Sequence, residues 1–386
     1  MKTQQFLRGK TFFFTVLICV YLCNIGYAQN RAMLDSIRAE ATLLTYSNPE
    51  LAIEKGLKLV ELSNDAPSSQ ISGLIIVANG YAILKNHEKV LEYAFMADSV
   101  AEKSKNYTDR IRVLGFIGGE YQRLKLGNKA LNYLDKAYEL SLQQPLPDSL
   151  KFLQGNIVFV KGLIQKDNLG CEYAMQYLLQ AEEIFKNNLT SKAINTSLGI
   201  ANNNIGDCYI ELGEYEKAKE NYNEAILFAT KVNSVKIIAY SELGLSKIFS
   251  AKGEYLEAIN ILQKALSSLE NINDIAMYTQ IYKALSENYS EIEDTENFNK
   301  YTSLYLAEED KLLNEEKKSL NTIVNDISLD NSEKSEAQEN KYFYLFIISG
   351  MLLLIFLIYI INKIIKKRRK IAKHRKEVDS AEKSDE

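Results

Sequence analysis

The chain has 386 residues, with 46% hydrophobic and 25% charged residues and a formal net charge of −4, a composition of folded rather than disordered proteins. Four prolines and no tryptophan speak for long uninterrupted helices and against a turn-rich β fold. Between Gln29 and Lys341 about 33 Lys/Arg stand against 45 Asp/Glu, and so acidic a body argues against nucleic acid as its ligand, since phosphate binding needs a basic surface.

The first 28 residues have the three parts of a secretory signal. Lys2, Arg8 and Lys10 form a basic start, Thr11 to Cys23 an apolar run, and Gly26-Tyr27-Ala28 the small-residue cleavage site. Cleavage after Ala28 is expected, an uncleaved anchor being the alternative. The run is short for a spanning helix.

From residue 29 to about 310 the sequence repeats itself. The clearest unit is Asn202 to Ala225, with Ile205, Gly206, Tyr209, Ala218, Tyr222 and Ala225 at fixed offsets. The same offsets return as Leu245, Ser246, Phe249, Ala258, Leu262 and Ala265, as Ile117, Gly118, Tyr121, Ala130, Leu134 and Ala137, and as Val77, Ala78, Tyr81, Val90, Ala94 and Ala97. A looser unit holds Leu285, Ser286, Tyr289, Phe298, Thr302 and Tyr305. Another keeps Gly162, Ala174, Leu178 and Ala181 but has Gln165 for the aromatic. Ala52 marks the second helix of a degenerate first unit. This small–aromatic–Ala–aromatic–Ala pattern resembles the tetratricopeptide repeat. The resemblance implies an all-α solenoid of about seven antiparallel helix pairs, none able to bury its apolar face alone. The steps are about 38 to 44 residues against a usual 34, read either as longer helices or as drift.

Local signals agree with helix pairs. Gly213 and Gly253 occupy the same turn position, where a helix end calls for a left-handed residue. Asn48-Pro49 reads as cap and first helical residue. Pro145 and Pro147 break a helix, and Asp148 is expected to cap the next. Cys171 and Cys208, the only cysteines of the body, read as two small buried hydrophobes, with a disulfide as the alternative. Asp35-Ser36-Ile37, Asp98-Ser99-Val100 and Asp148-Ser149-Leu150 resemble a bacterial O-glycosylation triplet, and the bland alternative is helix capping.

Residues 311–341 are polar, and from just before them Leu306, Leu313, Leu320 and Ile327 fall seven apart. They are expected to form a capping helix, with a short coiled-coil stalk as the alternative, ending in a flexible tether at DNSEKSEAQEN. Tyr342 to Ile361 is an uncharged apolar stretch matching the thickness of a bilayer, with tyrosines near its ends. Nine Lys/Arg follow between Asn362 and Lys376. These bases are expected to hold residues 362–386 in the cytoplasm. That places the body in the periplasm and makes the chain a single-pass protein of the cytoplasmic membrane.

No phosphate loop, HExxH, CxxC or nucleophile elbow is present. His87 reads as a solvated turn residue, and neither cofactor nor metal nor catalytic activity is expected. The tetratricopeptide resemblance implies an inner face of first helices that binds a protein or peptide. Position for position, its candidates are Asn79, Arg112, Gln122, Arg123, Asn156, Asn203, Asp207, Tyr240, Lys247, Lys283 and Glu287. Ile75 stands where a clamp lysine would pair with Asn79, so a chaperone-tail clamp is not implied. The order of segments resembles the exported sensor half of bacterial tetratricopeptide–transmembrane regulators of the helix-turn-helix or histidine-kinase type, without their output domain. It implies a sensor or adaptor serving a cytoplasmic or membrane signalling partner. An envelope assembly scaffold and a truncated regulator are the alternatives.

Overall fold

The computed structural model describes residues 31–45, 48–189, 192–270, 272 and 274–382. The expected signal segment, 1–28, lies outside them. Among the described residues every regular element is helical, apart from one short 3-10 turn, Asp148–Leu150. Two units are distinguished, one reaching to Thr322 and one from Ile323.

The first unit is a row of helix pairs: α1 (31–44) with α2 (Pro49–Leu62), α3 (Pro67–Ile83) with α4 (His87–Ser104), α5 (Tyr107–Arg123) with α6 (Gly127–Gln143), α7 (Phe152–Leu169) with α8 (Cys171–Asn187), α9 (Lys192–Glu211) with α10 (Tyr215–Lys231), α11 (Val235–Ala251) with α12 (Tyr255–Ser268), and α13 (Ile275–Glu291) with the start of α14 (Thr295–Glu382). First helices also pack on one another, α3 on α5, α5 on α7, α7 on α9, α9 on α11 and α11 on α13. Most are 17 residues long, or about 25 Å. That length accounts for the long repeat.

The repeated small residues are where helices meet. Val90, Ala130, Ala174, Ala218 and Ala258, and likewise Ala97, Ala137, Ala181, Ala225 and Ala265, are completely buried. Tyr222 shows the closest fit. Its fully buried ring lies between Gly206 on α9 and Gly244 on α11, and a Cβ on either glycine would come within 3 Å of it. The aromatic positions also pair in a way periodicity does not announce. Tyr81 stacks on Tyr93, Tyr121 on Tyr133 and Tyr289 on Tyr301, with ring centroids 5.7, 5.6 and 5.5 Å apart. Each pair has the same 12-residue spacing, so the stack recurs between the two helices of a repeat.

Five of the turns within the pairs share one backbone solution. Gly213 and Gly253 are left-handed, and Lys85, Lys125 and Glu293 take the same conformation at the same repeat position. Asn48 caps α2 through its side chain, and Pro49 opens the helix. Asp148 caps nothing: the chain makes the 3-10 turn there, α7 starts at Phe152, and the Asp148 carboxylate pairs with Lys151 at 2.7 Å.

Two readings of the cysteines and the polar stretch change. Cys171 and Cys208 are buried as expected but are joined as a disulfide, with Cα atoms 5.1 Å apart. Position 171 opens α8 and position 208 lies on the facing side of α9, so stacking of successive repeats brings them together. Residues 330–340, expected as a flexible tether, are helical. No glycine or proline interrupts the sequence from Thr295 to Ser349, so nothing stops α14. Leu306 and Leu313 are exposed. In the second unit, residues 341–370 are long and apolar enough to cross a membrane, and all are exposed.

Candidate functional site

The first helices bring Asn79 of α3, Arg112, Gln122 and Arg123 of α5, and Asn156 of α7 to one groove of about 480 Å³. Its floor is apolar, formed by Ile75, Phe116, Leu153, Ile157, Val160 and Leu163. Gly115 and Gly119 keep the α5 wall low, and a Cβ at Gly119 would meet nothing within 4 Å. The amides of Asn79, Gln122 and Asn156 are partly exposed and spend nothing on hydrogen bonds among the described residues. An amide side chain offers both a donor and an acceptor, which is what the main chain of an extended peptide requires. Three such amides over an apolar floor can hold a peptide backbone while its apolar side chains cover the floor.

The arginines of the groove are held from beneath. Arg112 reaches Asp109 at 3.1 Å and the Ser72 hydroxyl at 3.3 Å, and Asp109, almost wholly buried, also accepts from Ser68 and from the Asn106 amide. Arg123 pairs with Glu120. Glu120 is a groove residue that sequence reasoning missed. Its side chain is buried, and its second oxygen has no hydrogen-bond partner among the described residues. The available signal was a carboxylate between Gly119 and Tyr121, on a face otherwise reserved for core.

At the groove's end His87 is half-buried as the first residue of α4, not a solvated turn residue. Burial, then the charges of Arg123 and Lys85, lower its pKa below the usual imidazole value. Lys85, beside it in the turn, lies 3.8 Å from Glu315 of α14.

The remaining candidates divide in two. Lys247 of α11 and Lys283 and Glu287 of α13 line a second, more polar groove of about 660 Å³ with Ser250, Tyr255, Gln280 and Glu291. Asn203, Asp207 and Tyr240 are occupied within the solenoid. The Asn203 amide donates to the Ile237 carbonyl at 3.2 Å and accepts from Ser241 at 2.7 Å. Asp207 accepts from the hydroxyls of Tyr222 and Tyr240, both at 2.8 Å, with Lys166 at 3.7 Å. Burial first and the Asp207 charge second raise the pKa of both tyrosines far above the phenolic value, so they stay donors at any physiological pH. These three residues tie α9 to α10 and α11, and are not brought to either groove. Among the described residues no group of three His, Cys, Asp or Glu side chains could hold a metal ion.

The tetratricopeptide-repeat family pattern matches residues 197–271, which span most of α9 through α12. A signal transduction ATPase with numerous domains from Pyrococcus horikoshii, which carries a tetratricopeptide repeat sensor, is similar in structure. It is 18% identical with a TM-score of 0.51, over 70% of this chain and 40% of that one. NprR in complex with its cognate peptide NprX is 15% identical with a TM-score of 0.49, over 70% and 75% of the two chains. Aspartyl phosphate phosphatase F from Bacillus subtilis is 18% identical with a TM-score of 0.47, over 71% of each. At such identities the likeness concerns the fold, and this chain spans two fifths of the length of the first of these proteins. No curated protein sequence matches the chain.

Proposed function

Taking the chain as a tetratricopeptide-repeat protein, we propose that it binds an extended segment of a partner protein in the α3–α5–α7 groove, without a catalytic step, while anchored to a membrane. The observation that carries this reading is the row of unspent amides of Asn79, Gln122 and Asn156 above an apolar floor. Solenoids of this kind expose extended surfaces suited to such segments. Peptide side chains that cover the floor supply affinity, and the amides fix the register.

The anchor is the stretch Tyr342 to Ile361. An exposed apolar helix of this length is stable only in hydrocarbon or against another apolar surface. The bases from Lys363 onward favour a cytoplasmic end and hence a body on the other side. The buried Cys171–Cys208 disulfide supports that placement, because such bonds persist in oxidising compartments. We read the chain as a sensor or adaptor because Glu315 of α14 lies beside Lys85, in the turn between α3, which carries Asn79, and α4. An exposed pair of this kind is worth less than about 1 kcal/mol, so it marks proximity that a ligand can disturb.

The test is site-specific photocrosslinking in native membranes, followed by identification of the captured protein. A photoreactive residue at position 79 or 156 should capture a partner that the same residue at position 247 or 283 does not. Equal capture from both sets would end the assignment to this groove. Protease added outside the cytoplasmic membrane should digest the repeats and spare the tail; protected repeats would overturn the orientation. An envelope scaffold, the alternative, would keep its phenotype when residues 363–386 are removed and anchoring is retained.

A further inference from the structure

A third cavity, of about 570 Å³, lies where α12, α13 and α14 meet and takes no part in the groove described above. It is lined by Tyr278, Tyr282, Tyr301, Glu270, Glu308 and a short polar and apolar edge on α12, with neither lysine nor arginine among its lining residues. Tyr278 stacks on Tyr282 with centroids 5.8 Å apart, and Tyr282 lies against Tyr301 at 6.1 Å. The Tyr278 hydroxyl donates to the Leu269 carbonyl at 2.6 Å, which fixes its ring at the cavity edge. Tyr301 is nearly buried and stacked on Tyr289, while Tyr278 and Tyr282 remain partly exposed.

Ring faces carry negative potential and attract cations, most strongly where water is partly excluded. Two carboxylates at the same cavity add charge of the same sign. The titration of the tyrosines reports this field: after burial, the charges of Glu270 and Glu308 raise the Tyr278 pKa, and Glu308 contributes at Tyr282. The chain's own side chains behave accordingly. The Lys300 ammonium lies 5.1 Å from the Tyr301 centroid, and Lys311, mostly in solvent, pairs with Glu308 at 2.7 Å. Both lysines approach from α14 outside the lining, so among the described residues no lysine or arginine lines the cavity itself.

We propose that this cavity binds an organic cation, an alkylated ammonium or a guanidinium head group, on the faces of Tyr278 and Tyr282 with Glu308 and Glu270 as counter-charges. The volume accommodates the head group and several atoms of stem. The same head group can come from a small amine or from a basic side chain of a bound protein. The cavity uses none of the residues of the α3–α5–α7 groove, so either site can fail without the other.

The experiment is calorimetric titration of the full chain in maltoside micelles with choline, with N-acetyl-arginine methylamide, and with 3,3-dimethyl-1-butanol, the neutral isostere of choline. At least one cation should bind saturably at one site, about tenfold or more tighter than the neutral alcohol. A preference for choline indicates a small amine, and a preference for the arginine derivative a partner's side chain. Tyr282→Phe keeps the ring and should stay within about threefold of the parent, whereas Tyr282→Leu and Glu308→Gln should each weaken binding about tenfold. Glu308→Gln is isosteric, and the Lys311 it leaves unpaired is largely in solvent, so its helical circular dichroism and melting should match the parent. Absence of saturable binding by either cation, equal binding of the alcohol, or binding unmoved by Tyr282→Leu and Glu308→Gln would each overturn the proposal.

Discussion

The α3–α5–α7 region and the α9–α10–α11 region use one repeat lattice for opposite ends. In the first, the amides of Asn79, Gln122 and Asn156 stand over an apolar floor and remain unspent among the described residues, while Arg112 is tied to Asp109 and Ser72 and Arg123 to Glu120. In the second, Asn203, Asp207 and Tyr240 are turned into ties between helices, and Tyr222 fills the gap between two glycines. The family pattern matches the second region and not the first.

The sharpest way to break this comparison is to fill the two kinds of glycine. At Gly244 a Cβ would collide with the Tyr222 ring from one side while Gly206 already confines it from the other. Gly244→Ala should destabilise the solenoid by about 3 kcal/mol despite the gain in helix propensity, since a fully buried ring has nowhere to move. Gly119→Ala, on the wall of the groove and in open space, should stabilise it by about 0.5–1 kcal/mol. Thermal or urea unfolding of the two variants checks both signs at once. A Gly244→Ala protein as stable as the parent would mean that the second region is no tighter than the first.

The disulfide ties the locked region to α8, the helix before it. Closing a loop of this length stabilises by about 4 kcal/mol in the chain-entropy account, and measured values often fall nearer 2. Cys208→Ala should lower stability by about 2–4 kcal/mol, and thiol labelling of the native protein should be negligible until it is unfolded and reduced. Ready labelling of native thiols would argue against both the bond and the oxidising compartment.

A smaller effect separates the polar residues themselves. Asp207→Asn replaces the shared carboxylate that accepts from Tyr222 and Tyr240, and should cost about 1–3 kcal/mol, because buried hydroxyls then compete for a weaker acceptor. Asn79→Ala should change stability by less than about 0.5 kcal/mol yet reduce the crosslinking yield from position 156. A stability loss at Asn79 comparable to that at Asp207 would erase the distinction between spent and unspent residues.

Much of this architecture was legible in the sequence. The offsets of Ala130, Ala174 and Ala218 gave the buried seam directly, because a small residue at a fixed offset from an aromatic one has few uses other than helix packing. Gly213 and Gly253 announced their turns, while Lys85, Lys125 and Glu293 concealed theirs behind side chains that tolerate the left-handed conformation at a cost. Which polar residues face the groove was less legible. Asn203 and Asn79 both lie on first helices, and their fates differ because Ser241 and the Ile237 carbonyl arrive from α11 to meet one of them. The Cys171–Cys208 pair was obscured for the same reason: the partner is set by the neighbouring repeat. The long α14 was obscured by polarity, which signals a tether by composition but breaks no helix.

The smallest expected effect concerns the edge of the groove, and its sign can be worked out. Burial, Arg123 and Lys85 all depress the His87 pKa, and its position as the first residue of α4 adds a helix N-terminus that disfavours a cation. The unfolded chain therefore binds a proton near pH 6.5 that the folded chain refuses until lower pH. Stability should be full above that value and decline as the pH falls through it toward the lowered folded value. Melting between pH 7.5 and 5.5, above the range where most carboxylates titrate, should show a fall that His87→Gln reduces. If the variant retains the whole slope, the groove's edge is not the titrating element. If it removes the slope, His87 at the start of α4 is the titrating element.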